Sequence, residues 1–319
     1  MTDCRNWRVD KGAHMNSGCD YVEELGATAA GCNIVEYLAQ RYPSAKWEEW
    51  RKRVISGRVL LNGVSADTGT VLRSGQKLIW RRPPWEEPDV PLSFAVLYRD
   101  ECLLAVAKPA GLPTMPGGGM FMKNTLLTII RRRYPEARPL HRLGRGTSGV
   151  VLFAREPEAF AKVSQSWSHS EVLKIYRTLA VGIPTSDEFD IDYRIGRIPH
   201  PFLKTIHAAV SNDDVSGKTA RSRVRVLEGR GNRTLMEVRI ITGRPHQIRI
   251  HLAAAGHPLV NDPLYGVGGI PKPGSLSLPG DTGYYLHCGL LGFSHPETKE
   301  WIEITCLPPP ILRTGFSGA

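Results

Sequence analysis

Three stretches of this 319-residue chain carry residue types from which a reactive site can be built: HRLGRGTSG at 141–149, LKIYRTLAVG at 173–182 and ITGRPHQIRIHLAAAGHPLVNDPLYG at 241–266. The first offers His141, Arg142 and Thr147 on a glycine-rich loop ahead of VVLFA, whose unbroken apolar run predicts a buried strand. A loop so placed can carry reactive groups, yet its centre is Gly144, which can be neither nucleophile, base nor acid. The second stretch alternates apolar and polar residues and puts Tyr176 on a strand, where a core tyrosine is the plainer fate. The third adds Arg244 in a turn at 242–245. His246, Gln247 and Arg249 follow on a helix with Ile248 and Leu252 inward, ending at Gly256. For His141, a hydrogen bond that anchors the loop is a better reading than direct catalysis.

Upstream lies a different kind of segment. NIVEYLAQRYP spaces Ile34, Tyr37 and Leu38 on one helical face; Pro43 breaks that helix and Ser44 offers a cap for the next. The next, AKWEEWRKRVISG, turns Trp47, Trp50, Val54 and Ile55 inward and Arg51 and Lys52 outward, ending at Gly57. RVLLNGVSA then predicts a strand entering an Asn62–Gly63 turn, and VLRSGQKLIW another strand. The prolines of RRPPWEEPDVPL at 81–92 read as a stiff linker.

Charge gives a partner class. The chain carries 41 Lys+Arg against 31 Asp+Glu, a net +10, with basic clusters at Arg51, Lys52 and Arg53, at Arg81 and Arg82, and at 131–133. Such a balance favours a polyanion through counterion release. Six cysteines at 4, 19, 32, 102, 288 and 306 form no CxxC pair, so reduced thiols and a cytoplasmic setting are expected. No apolar run approaches the ~20 residues that span a bilayer, and MTDCRNWRVDKG lacks the apolar core of a signal peptide. The GAHM at 12–15 leaves Met15 as an alternative start. The glycine run at 117–119 has no GK[ST] after it, which excludes a P-loop; no dinucleotide fingerprint exists, and no cluster has metal-ligand spacing, so neither cofactor nor metal is expected.

The three motifs together resemble the RluA-type RNA pseudouridine synthases: HRLGRGTSG matches HRLD..TSG, LKIYRTLAVG matches KxYxAxVxG, and the third stretch matches TGRxHQIRxHLxxxGHPxxGDxxYG except that Asn261 replaces a glycine. IGR at 195–197, GKTARSRVRVLE at 217–228 and LHCGLLGFSHPETKE at 286–300 extend the match to about residues 33–309. A plant-type subgroup that also reads HRLGRGTSG, with a similar PW.EPD linker, is closer still. The order helix, Gly, strand, AsnGly, SGQKLIW resembles the small RNA-binding domain named after ribosomal protein S-four, whose RNA face would be Arg51, Lys52 and Arg53; a solvated helix face is the plainer alternative.

The resemblance implies an α+β fold: a mixed, largely antiparallel-sheet catalytic domain at 93–310 with a small RNA-binding domain at 33–80. A poorly organised segment at 1–32 and a tail at 311–319 complete the layout. It implies isomerisation of uridines in ribosomal or transfer RNA by base flipping, by a monomer, without membrane or nucleotide cofactor. Tyr176 would stack on the flipped base and take the proton from carbon five, and Arg249 would pair with the aspartate that Gly144 replaces. Arg142 would fill the gap left by the base, and His141, Thr147, Arg244, His246 and Gln247 would contact substrate. Gly146 also stands where an acidic residue is common. Losing the aspartate leaves Arg249 in need of a partner, since an unpaired buried charge costs ~3–5 kcal/mol; water, an RNA phosphate or Asp262 are the candidates. Gly144→Asp is expected to place a carboxylate within reach of Arg249, form the pair the family uses and raise pseudouridine formation. Three readings stay open: a synthase with a substitute carboxylate such as Asp262, an inactive RNA-binding protein keeping the fold, or a protein-binding scaffold.

Overall fold

The computed structural model describes residues 6–8, 15–43, 45–117, 119–168, 171–201, 203–211 and 213–316. Contacts divide the chain into a smaller unit, Ala13–Glu87 with Pro201–Lys204, and a larger one, Met1–Gly12, Pro88–His200 and Thr205–Ala319.

In the smaller unit the strands Cys19–Glu24, Lys77–Arg82, Val59–Leu61 and Val64–Ser65 form a sheet in that order. Helices Ile34–Arg41 and Trp47–Ile55 pack with it around Leu25, Ile34, Leu38, Trp50, Val54, Leu72 and Leu78. The Asn62–Gly63 turn has φ of 50° and 85°, the doubly left-handed geometry of a two-residue hairpin. Trp50 and Val54, one helical turn apart, fix the inward face of the second helix. Ile55, rotated ~100° from Val54, is 62% exposed, and Trp47, in line with Val54 but at the first residue of the helix, is 43% exposed, both against expectation. Ser44, the expected cap, lies outside the described residues; the backbone N–H of Lys46 instead donates to the Glu49 carboxylate. The expected start at residue 33 is also too late. Cys19–Glu24 pairs along its whole length with Lys77–Arg82, and the Asn16 amide donates to Glu87, so residues expected to be loose are sheet. The same pairing shortens the expected linker from its N-terminal side.

The larger unit is mixed α+β and sheet-dominated. Its strands run in the order Asn6–Arg8, Ser93–Arg99, Leu103–Lys108, Ser148–Ala154, Leu286–Ser294, Leu173–Val181, Arg233–Ile240, Ser222–Arg230, Glu188–Ile191, with Arg138–Pro139 and Trp301–Thr305 pairing from the side. All these pairings are antiparallel except that of Ser148–Ala154 with Leu286–Ser294. LLAV and GVVLFA are buried throughout, which their lack of alternation requires of strands covered on both faces. The expected tail is docked: Leu312 is buried, the Arg230 guanidinium donates to Ile311 O, and Gly315 N–H donates to Glu228.

Candidate active site

The loop 140–147 is held from below by the segment KPAGLPT. Lys108, fully buried, donates through Nζ to the carbonyls of Pro109, Leu112 and Arg145, and Gly111 N–H also donates to Arg145 O. Burial pushes the Lys108 amine down to about 7. Thr114 clamps the same loop, its hydroxyl donating to Leu143 O and accepting from Leu143 N–H. His141 accepts the Leu152 N–H at 3.1 Å and stacks on Trp167 at 4.9 Å. Burial, aided by Lys174, holds its imidazole down at about 3, so it is neutral and anchors the loop. Arg142 next to it is exposed. Within the loop, Thr147 N–H donates to Gly144 O, closing a tight turn.

Tyr176 stands in the register of Leu173–Val181 between Cys288 and Val238. Burial and a bond to the Cys288 thiol push its phenol well above the usual range.

Arg249 projects from helix Gln247–Ala254, whose residues 247–253 are all buried. Arg249 is paired. Its Nε and Nη2 donate to the two oxygens of Asp262, each at 2.7 Å, in a pair exposed by 2% and 1%. Nη1 donates to Pro279 O at 3.1 Å and faces His246 Nδ1 at 3.2 Å. Its guanidinium lies between two rings, 5.0 Å from Tyr265 and 4.2 Å from Tyr284. Asp262 also accepts from the N–H groups of Leu264 and Tyr265, so its carboxylate is fully committed. It answers the charge of Arg249 but is not free to act as a substitute acid. Asn261 before it has φ of 59°, a left-handed conformation that glycine and asparagine adopt more readily than most residues.

His246 is likewise left-handed, at φ 58°. Burial and Arg249 hold it neutral, near 3; with Nδ1 accepting from Arg249, its proton sits on Nε2. Gln247 is not placed to bind substrate. Its Oε1 accepts from Thr242 Oγ1 and Arg244 N, and its Nε2 donates to Arg221 O and Ser222 Oγ, which saturates a buried amide. Arg244 donates through Nε to Thr219 O. In the smaller unit Arg51 and Lys52 are exposed, whereas Arg53 lies over Trp50 at 4.4 Å and Trp80 at 4.7 Å, its guanidinium lowered by burial. Arg53 is a packing residue.

No sequence pattern marks the segment 279–284, because SLPGDTGY carries no periodicity and no motif. It bridges the two motifs: Pro279 O and the Tyr284 ring meet Arg249, Gly280 O accepts from Arg145 Nε, and Tyr284 Oη lies 3.3 Å from Thr147 Oγ1. Spacing also hid a group of Asp100, Cys102 and His295 that tertiary packing assembles. Their hydrogen bonds argue against a metal. His295 Nδ1 accepts from the N–H groups of Glu297 and Thr298, which puts the ring proton on Nε2, where it donates to Asp100 at 2.9 Å.

Residues 102–254 match the RNA pseudouridylate synthase family model. The chain is 42% identical to an uncharacterized RNA pseudouridine synthase of Synechocystis over 88% of its own length and 96% of the relative's. It is 37% identical to RNA pseudouridine synthase 5 of Oryza sativa, covering 94% of this chain and 89% of that one. Human RNA Pseudouridylate Synthase Domain Containing 1 shares the fold, with a TM-score of 0.55 at 24% identity over 71% of this chain and 89% of that one. The chain belongs to the RNA pseudouridine synthase family, of the RluA type.

Proposed function

We propose that this protein isomerises specific uridines in structured ribosomal or transfer RNA, flipping the target nucleotide so that its base stacks on Tyr176 while exposed Arg142 takes the vacated space. The observation that carries this reading is the convergence of three distant motifs. Gly149 of the first pairs with Cys288, Cys288 holds Tyr176 of the second, and Tyr284 touches both the first motif and Arg249 of the third. Unstacking the base costs a few kcal/mol, which aromatic stacking offsets. No activated donor is needed, because isomerisation conserves atoms and electrons. One observation favours the inactive RNA-binding reading: among the described residues, the side-chain atoms within 4 Å of a Cβ built on Gly144 are hydroxyls of Tyr284 and Thr147, not a carboxylate. The test is mass spectrometry of ribosomal and transfer RNA from cells with and without the gene, and of the same RNA incubated with purified protein. Loss of one or a few pseudouridines without the gene, restored by the protein, is the expected result; identical RNA in every arm removes the enzymatic reading.

For the smaller unit we propose RNA binding through the outward face of Trp47–Ile55. Replacing Arg51 and Lys52 with Ala should weaken RNA binding and flatten the salt dependence by roughly one unit of slope per lost phosphate contact. Arg53→Ala should instead lower the thermal midpoint, losing ~1 kcal/mol of cation–π stacking, and leave the slope unchanged. An unchanged slope in the Arg51/Lys52 variant would assign the binding face elsewhere.

A further inference from the structure

The position left by the aspartate is not open space. A Cβ built on Gly144 meets two atoms within 4 Å: Tyr284 Oη at 3.1 Å and Thr147 Oγ1 at 3.6 Å. One on Gly146 would lie 2.9 Å from Cζ, 3.0 Å from Cε1 and 3.1 Å from Oη of the same tyrosine. Two glycines thus receive one phenol, which is buried and whose ring face rests on Arg249 at 4.2 Å. The nearby carboxylates are engaged elsewhere. Asp262 is saturated by Arg249 and two backbone N–H groups, and Asp281 accepts from Leu278 N–H and faces Arg145 at 3.9 Å.

We propose that Tyr284 is a catalytic residue of the isomerisation, its hydroxyl meeting the target nucleoside at the place a side chain on residue 144 would otherwise hold. This rests on the pseudouridine synthase reading. A hydroxyl beside a second hydroxyl can both donate and accept, so its chemistry is proton transfer. As the C1′–N1 bond breaks, its electron pair stays on the base, the phenol proton passes to the uracil nitrogen, and the phenolate remains against the Arg249 guanidinium. Once the base has turned, C5 stands where N1 stood. The C5–C6 π pair forms the C5–C1′ bond, and the C5 proton returns to the phenolate while the ring double bond is restored. One bond is broken, one is made, the proton given is recovered, and nothing is oxidised or reduced. Tyr176, with its phenol held on Cys288, supplies stacking.

Tyr284→Phe keeps the ring on Arg249 and removes only the hydroxyl. The expected result is a fall of at least ~100-fold in kcat for pseudouridine formation, with KM changed less than about threefold and the pH dependence of kcat altered. Wild-type kcat and pH profile in the Phe variant would overturn the proposal while leaving the synthase reading intact. Wild-type protein that modifies neither ribosomal nor transfer RNA would end the synthase reading and the proposal with it. Gly144→Asp pushes a side chain into the phenol, so its activity should drop below wild type; a rise would show that the position is open and overturn the assignment. Thermal midpoints give a check independent of activity. Gly146→Ala should lower the midpoint in the wild type and not in a Tyr284→Ala background; equal losses in both would place the ring elsewhere.

Discussion

Asp262→Asn is expected to cost about 3–5 kcal/mol of folding stability, a large share of the margin of ~5–15 kcal/mol that single domains typically have. The substitution keeps shape and volume but replaces a carboxylate that accepts two charged N–H groups and two backbone N–H groups with an amide holding one acceptor oxygen. The Arg249 charge, 2% exposed and covered by Tyr265 and Tyr284, then has lost the carboxylate that pairs with it. Urea unfolding of both forms gives the measurement. Pseudouridine formation should be lost together with stability, because Arg249 and the turn at Leu264–Tyr265 move as one unit. An Asn variant with the wild-type midpoint but no activity would instead identify Asp262 as a reacting acid.

Gly149→Ala should be at least as damaging. A Cβ there would stand 2.2 Å from Cys288 O and 2.6 Å from Cys288 N, at a φ of 114° that L side chains rarely adopt. Neither obstacle is a side chain that can swing away; both belong to the neighbouring central strand, at the one parallel pairing of the described sheet. The variant can fold only by parting Ser148–Ala154 from Leu286–Ser294, so a loss above ~4 kcal/mol and insoluble protein are expected. Gly229→Ala, on a strand with nothing within 4 Å of its Cβ and no left-handed φ, is the control and should express like wild type. Comparable soluble yields and midpoints for the two would contradict the close approach at Gly149.

Much of this was legible in the sequence where a local pattern carries the information. The run GVVLFA has no alternation and became a strand buried on both faces. The periodicity of QIRIHLAA became a helix, and the Asn62–Gly63 pair became a two-residue turn. Such patterns depend on backbone periodicity and on residues that tolerate special dihedrals, both properties of neighbours along the chain. Motif matching likewise pointed to the family.

What the residues next to one another could not tell was who satisfies whom. Arg51, Lys52 and Arg53 are adjacent and equally basic in the sequence, but helical rotation sends the third over Trp50 and Trp80, the latter some thirty residues away on another strand. Gln247 belongs to the motif expected to bind substrate, and its amide is consumed by Thr242, Arg244, Arg221 and Ser222. Arg249 was known to need a partner, and only the folded chain chose Asp262 over water or phosphate. Tyr284 carried no signal at all, since its role comes from reaching two glycines about 140 residues earlier. The sequence by itself determined the elements, the family and the list of polar groups. The tertiary structure decided which of those groups remain available for chemistry, because a buried polar atom must find its hydrogen bonds wherever the packing brings a partner.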